Sequence, residues 1–425
     1  AKNLIANTVV DNLDLLNTSG GVTNYPSGEW PKTRVMLSPR IGFRWDLEGN
    51  KSLIIRGGTG IFAGRVPFVW MTNQPSNIGT LQNTIEPGSY AASAAWINDI
   101  RFNPDKLYWF NNTPASAANV FIKSPGNGVP GTLALVDPNF KMPQVFRTNI
   151  GFDKKIGKSP FTFTVDAMYT KDLQAVYQFG ANRLAASQKM YDGRDYYPNS
   201  ASYTFNSLLG GNSGSVLSNT TMGHSFNLTA GINMTPRNGF FGSLAYSYTF
   251  ANTSTDNSGS NASSAWGATP NRSNPNDIFL ASSADALPHR IVGVFSYRKE
   301  YLKHLASTIS VYYNGANRYR YSFTYNGDVN GDAISGDLLY IPKDASEVNF
   351  VASGGFTVDQ QRTAFNELLK NSKYLDKHRG SLAERNGVLM PWLHRFDVKF
   401  LQDIFAQFGK QKHTLQLSLD IVNFG

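Results

Sequence analysis

Ten stretches of this chain alternate apolar and polar residues with period two. They fall into five pairs, each joined by a short turn and separated from the next by a long polar loop. In FTFTVDAMY, Phe161, Phe163, Val165, Ala167 and Tyr169 point one way, and Thr162, Thr164, Asp166 and Met168 the other. FNLTAGINM sets Phe226, Leu228, Ala230, Ile232 and Met234 against Asn227, Thr229, Gly231 and Asn233. HTLQLSLDI does the same with Leu415, Leu417, Leu419 and Ile421 against Thr414, Gln416, Ser418 and Asp420. Successive side chains of a strand leave opposite faces, so each stretch makes a strand with one greasy and one polar face. A soluble sandwich satisfies that alternation too. The asymmetry of turns and loops decides: tight periplasmic turns against long extracellular loops are the pattern of a transmembrane barrel. The expected fold is all-β, part of a large antiparallel transmembrane β-barrel.

The strand pairs are expected over residues 34–46 and 51–64, 144–156 and 161–175, 221–235 and 239–251, 289–298 and 304–314, and 392–403 and 412–423. The third pair is expected to turn at Pro236, Arg237 and Asn238. A tilted strand of about ten residues spans the hydrocarbon layer. The intervening loops cover 65–143, 176–220, 252–288 and 315–391. Residues 252–264, NTSTDNSGSNASS, are of low complexity and expected to be mobile. Residues 357–375 are expected to be helical, since Thr357 and Gln360 have capping-box spacing and Phe365, Leu368 and Leu369 share a face.

Composition narrows the class. The 425 residues are 41% hydrophobic, 13% aromatic and 16% charged. No run approaches the roughly 18 apolar residues of a membrane helix, whereas alternation dilutes a barrel's hydropathy. There is no cysteine, hence no disulfide framework or thiolate metal site. The net charge of +9 is spread along the chain without a basic run, so nucleic acid is not an expected partner. No basic-then-apolar leader opens the sequence. An open sheet edge in lipid leaves backbone groups unsatisfied. Residues 1–425 are therefore expected to be a partial barrel.

The segment SPRIGFRWDLEGNKSLIIRGGTGIFAGRVPFVWMTNQPSNIG resembles the mid-barrel signature of TonB-dependent outer-membrane receptors of Bacteroidota. It is most similar to the Oar-like branch, related to SusC-type importers. ALPHRIVGVFSYRKEY, GDVNGDAISGDLLYIP, RGSLAERNGVLMPWLHRFDVKFLQDIF and KHTLQLSLDIVNFG follow in the family's order. The resemblance implies a barrel of about 22 strands around a plug, and hence that residues 1–425 are expected to lack the plug domain, the early strands and the final strands. It further implies an outer-membrane location, and energised uptake of an oligosaccharide, peptide or metal complex through TonB acting on the plug. Lipid and lipopolysaccharide are the expected surroundings, and a SusD-like lipoprotein is an expected partner of the SusC-type branch. A secretion-linked export channel and a structural or adhesive outer-membrane protein are the alternatives.

No catalytic constellation stands out, and no enzyme is expected. His224, His289, His304, His378, His394 and His413 are dispersed without ligand spacing. The glycines of RGGTG at 56–60 are expected to allow close approach of something packed inside the barrel. Period two places Arg34, Arg40, Arg44, Arg56 and Arg147 on the polar, lumen-facing side, with Arg395, Asp397 and Lys399 in the fifth pair. Such charges either pair with a plug and one another or attract anionic cargo. Aromatic residues gather in two loops: Tyr90, Trp96, Tyr108, Trp109 and Phe110 in the first, Tyr191, Tyr196, Tyr197 and Tyr203 in the second. Tyr90, Trp96, Trp109, Tyr196 and Tyr197 are the candidate ligand contacts, because large amphipathic rings stack on sugars or grip peptides; the alternative is that these rings pack loop on loop or against the membrane interface.

GDVNGDAISGD offers a calcium site. Asp328, Asn330 and Asp332 occupy alternate positions and Asp337 follows five residues later, an oxygen pattern that suits a hard cation. It departs from an EF-hand loop, with Ala333 where the sharp-turn glycine belongs and Leu339 where the bidentate Glu would be. Asp337 then supplies the closing carboxylate, with the Ile334 carbonyl. The alternative is a turn held by Asn and Asp side chains bonding their own backbone.

Overall fold

Alternation of this kind satisfies a strand's backbone only when each stretch pairs with a neighbour of the same register. The computed structural model describes residues 5–80, 99–105, 108–115 and 128–424. It folds the five pairs as antiparallel hairpins: β1 (Arg40–Asp46) with β2 (Leu53–Ala63), β3 (Gln144–Lys155) with β4 (Phe161–Gly180), β5 (His224–Arg237) with β6 (Phe240–Thr253), β7 (His289–Tyr301) with β8 (Leu305–Asn317), and β9 (Trp392–Phe408) with β10 (Gln411–Ile421). These strands pair in chain order from β1 to β10, every neighbour antiparallel. Chain-order pairing places all short turns on one rim and all long loops on the other.

Local chemistry sets the turns. β5 turns into β6 through Asn238 and Gly239 at φ +53° and +82°, the left-handed pair that matches strand twist. That turn lies two residues after the expected Pro236, which the strand accommodates at an irregularity between Met234 and Arg237. β9 turns into β10 at Gly409, φ +61°. β1 begins at Arg40, not at residue 34, because Pro39 has no N–H for the ladder. Arg34 is accordingly no strand residue; its Nη2 donates to Asn139 Oδ1. β4 runs five residues past the expected 175 because the loop strand Ser215–Thr220 pairs along its extension, from Ala175 to Gly180.

The register carries one face across the sheet. Phe163 pairs with Ile232, Ile232 with Leu244, Leu244 with Gly293, Gly293 with Tyr313 and Tyr313 with Phe396. None of this row is buried: Leu244 is 52% exposed and Leu417, on the same face of β10, 56%. A continuous uncovered apolar face requires an apolar medium.

The molecule's packed core lies in the loops. One buried cluster joins Val10, Leu13 and Leu15 to Leu133, Leu135, Phe179 and Val216. A second joins Val66, Met71 and Phe140 to Leu217, and a third joins Leu338, Ile341, Leu369 and Leu375 to the half-buried Phe279. The expected helix is α1 (Val358–Asn371), capped by Thr357 and Gln360 as the spacing implied. It stops at Asn371, where Ser372 starts a separate turn, Lys373–Lys377. Residues 252–264 are fastened down, contrary to the expectation of mobility. Asn257 donates to the Val176 carbonyl, Asn261 caps a short helix, Ala262–Gly267, and that helix buries Trp266.

Leu244→Arg on the apolar face is expected to cost about 2–4 kcal/mol if it lies near the bilayer midplane, and Ser243→Arg on the other face under about 1 kcal/mol. Denaturant unfolding of the full-length protein in lipid measures both.

Candidate functional site in the polar face and loop layer

On the polar face, register brings the charged residues into shared rows. Arg44 stands opposite Arg56, Arg56 opposite Gly151, and Gly151 opposite Asp166. Without a side chain, Gly151 leaves room for the Arg56 guanidinium to cross it and bond Asp166 at 2.6 and 2.7 Å and Asp153 at 3.2 Å. Arg40 and Arg147 flank the Phe62 ring at 4.3 and 5.5 Å, a cation–π pair of contacts on one face of the sheet. Arg395 bonds Asp397 at 2.8 Å, and Lys399 lies 3.1 Å from Asp420. Sequence reasoning missed Arg298, which bonds Asp403, itself bonded by Gln416 Nε2 at 2.7 Å. Arg56, Arg395 and Lys399 thus have acidic partners on neighbouring positions of the sheet itself. Arg44 has no hydrogen bond or ion pair among the described residues. The RGGTG glycines are filled by the adjoining strand: a Cβ on Gly57 would strike the Phe43 ring at 2.8 Å, and one on Gly60 the Pro39 carbonyl at 2.6 Å. Within this chain, the close approach at these two glycines is made by β1 and its entry.

Above the sheet, three loops meet around two buried arginines that the sequence did not single out. Arg183 is stacked among Tyr203, Trp266 and Tyr197 at 5.0, 5.2 and 6.0 Å. Its Nη2 donates to the Asp332 carbonyl and Asn212 Oδ1. Arg194 donates to Asp192 Oδ2 and the Leu338 carbonyl, each at 2.7 Å. Both guanidinium groups are fully enclosed. Asp328, Asn330, Asp332 and Asp337 form one compact turn between them. Asp328 accepts from the N–H groups of Gly331, Asp332 and Ala333, Asp332 Oδ1 from Ile334, and Asp337 Oδ2 from Val329. Ala333 takes φ +61°, so the alanine adopts the left-handed turn itself. Gly331 at φ +81° rests on the Tyr197 carbonyl, where a Cβ would come within 2.1 Å. Burial raises the Asp332 carboxyl to about 6 and lifts Asp337 above its ordinary value, and it pushes Arg183 down.

Of the aromatic candidates, Tyr90 and Trp96 lie outside the described residues. Trp109 donates Nε1 to the Arg101 carbonyl and meets Tyr108 edge-on at 4.9 Å. Tyr196 and Tyr191 are exposed, and Tyr191 stands edge-on to Tyr340 at 5.7 Å. Tyr197 is a correction: it is 1% exposed, its ring against Tyr203 and Arg183, so it packs loop on loop and presents no contact surface.

The sequence matches the family model described as outer membrane beta barrel domain over residues 3–424. The chain belongs to that family. Its location is the outer membrane, and its sheet is the antiparallel sheet of such a barrel. No curated protein matches the sequence. Among solved structures, it is similar to the outer membrane transporter YddB from Escherichia coli, at 11% identity and TM-score 0.45, over 91% of this chain and 36% of that one. It is also similar to the ferric enterobactin receptor PfeA from Pseudomonas aeruginosa, at 6% identity and TM-score 0.39, over 91% and 34%. The FrpB iron transporter from Neisseria meningitidis gives 11% identity and TM-score 0.37, again over 91% and 34%. This barrel domain therefore spans little more than a third of those chains.

In an outer membrane barrel domain, the Arg56 group holds three strands at half-exposed positions. Arg56→Met is expected to lower stability by about 1–2 kcal/mol, since Asp153 and Asp166 are then left side by side. Arg44→Met is expected to change it by less than about 0.5 kcal/mol. Paired denaturation curves of the full-length protein check the difference.

Proposed function

We propose that this domain is one arc of a TonB-dependent receptor barrel that takes up a bulky nutrient, an oligosaccharide, peptide or metal complex. The polar face lines the lumen in this reading, with Arg40, Arg44, Arg56, Arg147, Arg395, Asp397 and Lys399 inward. The observation that carries it is the loop layer. The long loops fold upon one another around three apolar clusters, which is far more structure than a passive pore needs and is suited to recognising a particular cargo. The sequence motifs resemble those of the Oar-like, SusC-related receptors of Bacteroidota, which supports this reading. A plug, TonB acting through it and a SusD-like lipoprotein are the partners of that reading. Further strands close the sheet, because β1 and β10 each pair on one side only among the described residues.

Transport is tested in the source organism by deleting the gene and measuring uptake of glycans, peptides and ferric complexes, with and without a protonophore. Loss of uptake of one cargo class, equally abolished by protonophore in the wild type, is the expected result. Unchanged uptake of every class with a depleted secreted proteome would transfer the domain to export, and unchanged uptake with lost surface attachment to adhesion. Residues 1–425 expressed alone are expected to show no heat-modifiable monomer on electrophoresis; a folded, heat-modifiable band would overturn the arc.

A further inference from the structure

Asp332 and Asp337 are buried carboxylates with one oxygen each left over. Their side chains are 0% exposed. One oxygen of each accepts a backbone N–H, while Asp332 Oδ2 and Asp337 Oδ1 accept no hydrogen bond at all. The nearest cations, Arg183 Nη1 and Arg194 Nη1, stand 3.7 Å from them, and those two nitrogens are equally without a hydrogen bond. A buried Arg–Asp pair free to close would do so to about 2.8 Å. Here each side is held back, the arginines by carbonyls at Asp332 and Leu338 and the carboxylates by the turn. A third unsatisfied group adjoins them. Asn271 bridges Asp337 across an isolated parallel pair, is 4% exposed, and has no partner at either amide atom.

Charge leaves the same gap. Among the described residues, Asp192, Asp332 and Asp337 share the two guanidinium groups of Arg183 and Arg194, one carboxylate more than there are cations, and Asp328 adds a fourth carboxylate at the exposed side of the turn. Burial of carboxylates in excess of the cations that face them is costly.

We infer that the turn formed by residues 328–337 is a Ca²⁺ site, with the side-chain oxygens of Asp328, Asn330, Asp332 and Asp337 and the Ile334 carbonyl as its protein ligands. Among the described residues no three carboxylate or imidazole side chains enclose a point unaided. The amide and carbonyl oxygens are therefore part of the set, and the carboxylates rotate inward as the ion enters. Ca²⁺ accepts six to eight oxygens in loose geometry, whereas Mg²⁺ demands a near-ideal octahedron. Asp328 is exposed and gives the ion its entrance. Bound calcium fastens this turn to Tyr197, whose N–H already donates to the Asn330 carbonyl, and to Ser273, whose carbonyl receives Asn330 Nδ2. The ion thus locks three loops of the extracellular layer together.

The full-length protein, purified in detergent and stripped with chelator, is titrated with CaCl₂ by calorimetry and with Tb³⁺ by luminescence excited through its aromatic residues. One saturable calcium site with a Kd of about 0.1–1 mM is expected, the range of extracellular calcium modules, with no matching response to Mg²⁺. Asp328→Asn keeps an oxygen for the backbone and removes a charge; it is expected to weaken binding by roughly tenfold or more. Asp359→Asn, on the exposed start of α1, is expected to leave binding unchanged. In the wild type, calcium is expected to protect residues 327–341 from limited proteolysis and chelator to expose them, a readout independent of any variant. Absence of saturation up to about 10 mM Ca²⁺, equal affinity for Mg²⁺, or unchanged binding by a heat-modifiable Asp328→Asn protein would overturn the site.

Discussion

Backbone hydrogen bonding in a medium without water is the constraint on which the rest of this structure depends. A peptide group left unpaired in hydrocarbon costs several kcal/mol, so strands there must pair along their whole length. The chain answers with ten strands joined in chain order, the simplest topology in which each strand meets the next through a tight turn. Period two then does the sorting. Because a one-residue slip would turn every greasy side chain to the polar side, the pattern itself fixes the register. Phe163, Ile232, Leu244, Tyr313 and Phe396 line up for that reason.

A sheet that gives one face to lipid and the other to polar surroundings has little interior of its own. Its polar face is tied by charge, as in the Arg56 contacts with Asp153 and Asp166 and the Arg298 contact with Asp403. Apolar burial moves to the loops, where Leu135, Phe179, Leu217, Ile341 and Leu369 are almost wholly covered. Two guanidinium groups, Arg183 and Arg194, stitch that layer through backbone carbonyls of a distant loop. The lipid-spanning half is specified by alternation, and the loop half by long-range packing.

That division decides what could be read from residues alone. Strand pairs, the position of nearly every turn and the shared face of Arg40, Arg44, Arg56, Arg147, Arg395, Asp397 and Lys399 follow from local period and turn chemistry. The capping box at Thr357 and Gln360 is equally local. Which of the loop rings pack loop on loop is not legible in the sequence: nothing near Tyr197 reveals that Arg183 and Gly331 cover it. The ordering of residues 252–264 depends on Trp266 packing beneath Arg183, and the extension of β4 to Gly180 on a partner strand some forty residues on. Ala333 looked like a defect in the acidic turn, yet it adopts the left-handed conformation a glycine would have taken.

The two-solvent sheet is the claim from which all else follows, and the absence of cysteine from these 425 residues lets a label be placed on one strand position at a time. Single cysteines introduced one at a time from Ser243 to Tyr248 on β6, spin-labelled in the full-length protein in lipid, report collision with oxygen and with a water-soluble nickel chelate. Oxygen accessibility is expected to peak at Leu244, Tyr246 and Tyr248 and nickel accessibility at Ser243, Ala245 and Ser247. A flat profile, or peaks in the same phase for both reagents, would contradict a sheet lying between lipid and a polar interior.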